Sequence, residues 1–173
     1  DVDEQLGNLA GAIEAARQVL LLDGRDQGAR VTLERLFNRA ERWPELIELL
    51  GWLAQEAATP EEQAAVLARL VYVQLERQRD FGGALAALEQ LALASPSSES
   101  ITALGTRALL LLSMDNRPEA AAWRAQLAQL LEPRFEASGA WGELGPVLRL
   151  RLDVERDPKE RKRLWLRIID IEE

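Results

Sequence analysis

Apolar residues recur at intervals of three and four along the chain, the spacing that places them on one face of an α-helix. Ala12, Ala16 and Val19 form one such stripe, and Leu33 and Phe37 belong to the next. Glycine, proline, aspartate and serine interrupt the pattern every 15 to 20 residues or so. The apolar run at 70–73 is β-prone, but it lies inside a helical period. The pattern predicts an all-α protein of about 9–10 helices.

Local signals predict where several helices begin and end. Asp23 and Gly24 are expected to close the first helix, with the glycine in a left-handed cap. Residues 59–62 and 157–160 are both capping boxes, with proline at the first helical position and glutamate at the third. Pro133 is expected to kink or end a helix over 118–131, ahead of a short turn at 134–138. Because the connections are short, neighbouring helices should lie antiparallel as stacked hairpins.

The chain also repeats itself. Residues 42–75 can be laid over residues 140–173 without a gap, with Trp43 on Trp141 and Pro60 on Pro158. A long internal period indicates one helical unit stacked on copies of itself, with a function based on its surface. We therefore expect a single array over 1–173, with approximate units at 1–41, 42–78, 79–116, 117–156 and a partial unit at 157–173.

A second overlay, of Ala12 on Ala84, places both ends of the sequence within a hairpin. From this we expect the native array to continue on both sides. The last helix, with Leu164, Trp165, Ile168 and Ile171, and the helix over 12–22 would then lack their packing partners. Self-association through these faces is the corollary.

Composition narrows the possible chemistry. The chain contains no cysteine, so disulfides, thiolate metal sites and a cysteine nucleophile are excluded. It also contains no histidine, the commonest general base and transition-metal ligand. Its net charge of −8 argues against nucleic acid or an anionic membrane as the partner. No apolar run is long enough to cross a membrane. The carboxylates at 61–62 are interpreted as helix caps, and we expect no enzyme activity, cofactor or metal.

One segment resembles a known family. Residues 80–91, followed by Pro96, place the small Ala84 and the bulky Leu88 and Leu91 as the second helix of a tetratricopeptide repeat does. Residues 8–24 repeat this pattern, and the segments that begin at Trp43 and Trp141 resemble the divergent tetratricopeptide arrays of large bacterial proteins. The resemblance implies a right-handed α-α superhelix, or solenoid, whose inner face binds peptides or protein segments.

The same resemblance implies which side chains would line that inner face. An arginine-rich groove would favour an acidic segment or a C-terminal carboxylate, since guanidinium groups bind carboxylates bidentately. The alternative is that these are solvated arginines paired with glutamates of their own helices. The candidate groove residues are Arg35, Asn38, Arg69, Arg77, Arg107 and Arg167.

The tryptophans are divided between core and surface. Trp43, Trp141 and Trp165 are expected in hairpin packing, whereas Trp52 and Trp123 are candidate surface anchors. The predicted function is a protein-interaction scaffold that binds a peptide or partner protein on its concave face. The alternatives are a structural spacer or assembly segment of a multidomain protein, and a regulatory helical domain attached to an enzyme outside this sequence.

Overall fold

The computed structural model describes the backbone of residues 2–172 and the side chains of residues 8–171. Within that range the protein is all helical, as predicted, with nine α-helices, one π-helical segment and no strand. We number the α-helices in chain order and call Gln74–Gln78 the π segment. The α-helices are α1 Val2–Leu22, α2 Gln27–Arg39, α3 Trp43–Glu56, α4 Pro60–Val73, α5 Phe81–Ala94, α6 Glu99–Ser113, α7 Ala120–Ser138, α8 Trp141–Val154 and α9 Pro158–Glu172.

The chain divides into two compact units, residues 1–56 and residues 57–173. The first unit contains α1 to α3, and α2 packs against both of the others. The predicted stripe of α2 is confirmed, since Leu33 and Phe37 are buried. On α1 the prediction was only partly correct: Ala16 is buried, but Val19 is 42% exposed. The five smaller units expected from the repeat stay a prediction.

The second unit contains α4 to α9 and the π segment. Each helix packs on the next one in sequence, and in addition α4 contacts α6 and α5 contacts α7. These contacts place α4 with α6 in one layer and α5 with α7 in another. A separate part of the core lies farther along, where Leu144 and Leu148 of α8 pack with Leu164 and Ile168 of α9.

The predicted helix starts are largely formed as expected. The Thr59 hydroxyl accepts a hydrogen bond from the backbone N–H of Glu62 at 3.1 Å, and the Glu62 carboxylate accepts one from the backbone N–H of Ala58 at 3.0 Å. The second bond reaches one residue beyond the usual capping box. At α9 the Asp157 carboxylate accepts from the backbone N–H of Lys159 at 3.0 Å.

Two predicted helix ends were wrong. Gly24 does not adopt the left-handed conformation; among the described glycines only Gly139, which ends α7, does so. Pro133 lies inside α7, which continues to Ser138 instead of ending in a turn at 134–138. The side chain of Arg134 donates to the carbonyl oxygen of Leu130 at 2.6 Å within the same turn. Buried Leu131 and Phe135, on either side of the proline, favour the continuous helix.

The π segment was not predicted. It follows α4 directly and ends at Arg79, whose φ of 55° is left-handed. Gln74 is buried at its start, and its side-chain oxygen has no hydrogen-bond partner in the described part of the chain. Asp80 then caps α5 by accepting from the backbone N–H of Gly83 at 2.9 Å. The irregular stretch therefore ends one helix and orients the next.

Candidate binding surfaces

The predicted groove residues lie in both units. Arg35 and Asn38 are exposed on α2 of the first unit, and the Asn38 amide donates to the carbonyl oxygen of Glu34 at 2.9 Å. The other four lie in the second unit, where Arg69 is exposed on α4 and Arg77 on the π segment.

Arg107 of α6 binds a carboxylate of its own chain. Its guanidinium donates from Nε to Glu76 Oε1 at 2.6 Å and from Nη2 to Glu76 Oε2 at 3.3 Å. The hydrogen bonds from Arg107 lower the pKa of the Glu76 carboxyl. This bidentate pair ties α6 to the π segment, and a ligand that used Arg107 would have to displace Glu76.

Arg167 of α9 is engaged in a larger cluster. It donates to Glu132 and to Glu136 of α7, and Arg151 of α8 donates to the second oxygen of Glu132. We call Glu132, Arg151 and Arg167 the ionic clamp. Burial raises the pKa of the Glu132 carboxyl, but the hydrogen bonds from the two arginines outweigh burial and lower it overall. The clamp connects three helices through one buried carboxylate.

Within the second unit, the clamp places Arg167 apart from Arg69 and Arg107. It joins α9 to α7, a helix of the layer that contains α5, whereas Arg69 and Arg107 lie on α4 and α6 of the other layer.

Sequence reasoning missed Glu132, although a signal for it exists. The residue lies four positions after Ala128 and three before Phe135, both of which are buried. It therefore occupies a position on the apolar stripe of α7. A carboxylate at such a position predicts a cationic partner, because an unpaired buried charge is too costly.

The two candidate anchors, Trp52 and Trp123, are both partly covered by an arginine. Arg30 lies over the Trp52 ring at 5.1 Å and donates from Nη2 to the carbonyl oxygen of Gly24 at 2.7 Å. Arg117 lies over the Trp123 ring at 5.0 Å and donates to the carbonyl oxygen of Arg79 at 3.2 Å. In each case a cation–π contact holds a tryptophan against a turn that precedes a helix.

The three tryptophans predicted to lie in the core, Trp43, Trp141 and Trp165, differ in how far they are exposed. Trp43 is partly buried, but Trp141 is 54% exposed and Trp165 is 51% exposed, so the core assignment was wrong for these two. Trp165 occupies the position that Leu67 occupies in the overlaid helix, where the leucine is fully buried. The buried residues of α9 are instead Leu164 and Ile168, which pack against α8.

An open groove of about 790 Å³ lies in the second unit and was not predicted. One wall is the face of α6 that carries Thr102, Ala103 and Thr106, together with the turn before that helix. The other side is formed by the end of α7, with Phe135, and by the start of α8. The groove is lined by Pro96, Ser97, Ser98, Glu99, Thr102, Ala103, Thr106, Arg134, Phe135, Ala137, Ser138, Ala140 and Glu143.

Arg134 is the cation in this lining. Its Nη1 donates to the Leu130 carbonyl, and its Nε is buried without a hydrogen-bond partner among the described residues. Serine and threonine side chains line the same groove, together with Glu99 and Glu143. Such a surface can pair with a carboxylate and exchange hydrogen bonds with a peptide backbone.

Two further structural findings concern metal binding and membrane spanning. The described residues include no group of three or more acidic, histidine or cysteine side chains that could hold a metal ion. No helix among the residues searched is both long enough and apolar enough to span a membrane.

Comparison with known proteins shows a distant similarity to a solved structure. No family model matches the chain, and no curated protein matches it. Among solved structures, it is similar to the crystal structure of BtubC (BKLC) from P. vanneervenii, with a TM-score of 0.42 and 11% sequence identity. The alignment covers 99% of this chain and 83% of that one.

Proposed function

We propose that this chain is a protein-interaction module, similar to tetratricopeptide arrays, that binds a peptide segment of a partner protein. The observation that supports the proposal is the open groove between α6 and the junction of α7 with α8. Its volume of about 790 Å³ lies within the range of about 300 to 1,000 Å³ that is usual for binding sites.

The lining favours a polar peptide with a carboxylate. Arg134 offers its guanidinium, and the hydroxyls of Ser97, Ser98 and Thr106 can donate to or accept from a peptide backbone. Phe135 offers an apolar contact. The expected ligand chemistry, an acidic segment or a C-terminal carboxylate, stays as the sequence suggested, but the arginine proposed to bind it is Arg134.

The proposal can be tested by blocking the groove from its exposed wall. Ala103 is exposed on α6, so Ala103→Arg should fill the groove without disturbing the core. Ala86→Arg, at an exposed position of α5 outside the groove lining, is the matched control. We expect a partner captured from cell lysate to be retained by the parent and by Ala86→Arg, and to be lost with Ala103→Arg.

The ligand chemistry needs its own measurement. The binding segment of the captured partner should be synthesised with a free and with an amidated C-terminus, and with its acidic residues replaced by amides. A drop in affinity of about tenfold or more, the effect of losing one charge-assisted hydrogen bond, would support recognition of a carboxylate. Unchanged affinity in all these peptides would contradict it.

The second candidate function is a structural spacer, and a specific observation favours it. Arg107 and Arg167, which were expected to bind a ligand, bind glutamates of neighbouring helices instead. Ion pairs of this kind hold neighbouring helices in fixed positions, and a structural spacer requires such rigidity. Under this alternative, the capture experiment should give the same proteins with the parent, Ala103→Arg and Ala86→Arg.

A further inference from the structure

The first unit contains an apolar groove of its own, of about 510 Å³. Its floor is one stripe of α2, formed by Leu33 and Phe37, each only 2% exposed. Leu20 and Leu21 of α1 form one wall, and Leu21 is 77% exposed. Leu21 is therefore not an isolated exposed leucine, because it adjoins the apolar floor of the groove, and contiguous apolar surface is typical of interaction sites.

The opposite wall is α3, which contributes Glu45, Glu48, Leu49 and Trp52. These residues follow helical spacing, so this wall runs for about two turns, or roughly 10 Å. Trp52 is held in place because Arg30 stacks on its ring and is itself bound to a backbone carbonyl. The wall is therefore formed before any ligand arrives, which lowers the ordering cost of binding.

Each edge of the groove carries one charge that is available to a ligand. Glu45 is already paired with Arg42, but Glu48 is exposed and has no ionic partner within the described chain. On the α1 edge, Arg17 is exposed, and its guanidinium lies 5.5 Å from the centre of the Phe37 ring. Its charge also attracts Glu45 of the opposite wall. The groove thus has an acidic edge on α3 and a basic edge on α1.

We propose that this groove binds an amphipathic helix of a partner protein, with leucine-type anchors flanked by a basic residue on one side and an acidic residue on the other. The walls and floor are helices whose backbone groups are already paired, so they offer no partners to an extended peptide. A helix satisfies its own backbone and can lay an apolar face between two other helices. The charged flanks of that helix would meet Glu48 and Arg17. This proposal is independent of the groove in the second unit.

The test uses designed peptides rather than an unidentified partner. A capped, alanine-based helical peptide of about four turns should carry two leucines at i and i+4, with lysine on one flank and glutamate on the other. A second peptide replaces both leucines with alanine. Isothermal titration with the 173-residue chain should give saturable binding of the leucine peptide with a Kd below about 1 mM, and none for the alanine peptide.

Charge reversal then locates the site. Glu48→Lys and Arg17→Glu should each weaken the leucine peptide roughly three- to tenfold, because each variant replaces an attraction with a repulsion at the groove edge. The double variant should recover most of the affinity, since a helix bound in the opposite chain direction presents its flanks exchanged. Glu61→Lys, at an exposed position of α4, makes the same charge change elsewhere and should leave binding unchanged.

Three results would overturn the proposal: no saturable binding up to about 1 mM, equal affinity in Glu48→Lys and the parent, or a double variant that binds no better than the singles. Far-ultraviolet circular dichroism of every variant checks that the helices are intact. The indole N–H signal of Trp52, assigned with Trp52→Phe, should shift on titration if the peptide occupies this groove. Loss of partner capture by Ala103→Arg concerns the other groove and would leave these outcomes unaffected.

Discussion

At the scale of single residues, Glu132 is the most informative position in the second unit. Its side chain is only 8% exposed, and a buried carboxylate is strongly unfavourable unless it is paired and hydrogen-bonded. Arg151 and Arg167 supply that pairing from two different helices. The arginines remain about a quarter exposed, so solvent weakens the interaction compared with a fully buried cluster.

We expect Glu132→Ala to lower the free energy of unfolding by about 2 kcal/mol, below the 3 to 5 kcal/mol or so found when a fully buried pair is broken. Urea unfolding followed by circular dichroism measures this change. Glu136→Ala is the matched control, because Glu136 lies on the same helix and binds Arg167, but its side chain is 45% exposed. We expect the control to cost less than about 1 kcal/mol. Equal losses would contradict a special contribution from the buried carboxylate.

The ionic clamp also predicts a pH dependence. The pKa of Glu132 is lowered in the folded protein, so its stabilisation is complete above the ordinary glutamate pKa of about 4.3. It is lost as the pH falls through the lower folded value, because the unfolded chain then binds the proton more readily. The difference in stability between the parent and Glu132→Ala should be constant from pH 7 to about 5 and should shrink below about pH 4. A constant difference down to pH 3 would contradict this assignment.

At the scale of helices, the packing of α6 on α7 depends on a small residue. Gly105 of α6 is buried, and a Cβ atom added there would lie 2.7 Å from Cδ2 of Leu131. Leu131 is fully buried in α7, so it has little room to move away. The glycine therefore sets how closely the two helices approach.

Alanine substitutions at two glycines should have opposite effects. Gly105→Ala should destabilise the protein by about 1 kcal/mol or more, since overpacking outweighs the gain of up to about 1 kcal/mol in helix propensity. Gly51→Ala in α3 should stabilise it by about 0.5 to 1 kcal/mol, because an added Cβ there meets no atom within 4 Å. Thermal unfolding of both variants measures the contrast. Stabilisation by Gly105→Ala would show that the helices can move apart at no cost.

At the scale of the whole molecule, net charge opposes self-association, whereas exposed apolar surface favours it. The chain has 29 acidic and 21 basic residues, which gives a net charge of −8 and a pI near 4.8. Repulsion between copies therefore opposes association at neutral pH. Trp165, Leu166 and Ile169 on α9 are each about half exposed and offer an apolar surface for association.

We expect light scattering to increase as the pH is lowered from 7 to about 4.8, where the net charge disappears. The double variant Leu166→Ser/Ile169→Ser should scatter less than the parent at the same pH. Leu93→Ser, at a residue of α5 that is 84% exposed, is the control for apolar surface elsewhere. If Leu93→Ser reduces scattering as much as the double variant, association does not depend on α9.

The helical character of the chain and many of its helix starts follow from the amino-acid sequence alone. These depend on interactions within a few residues: apolar positions one turn apart, or a side chain that caps the next turn, as Thr59 does for α4. The same local logic failed at Pro133, where packing on both sides of the proline kept α7 continuous. It also placed Trp141 and Trp165 in a core that does not cover them.

Contacts between charged or apolar groups that are distant in sequence depend instead on the tertiary structure. Arg107 donates a hydrogen bond to Glu76, 31 residues away in the sequence, and Arg167 donates one to Glu132, 35 residues away. No local pattern specifies such pairs, because they depend on which helices pack side by side and at what rotation. The two grooves arise in the same way, from faces of several helices brought together, and so the sequence predicted helices and a surface-based function while the structure located the surfaces.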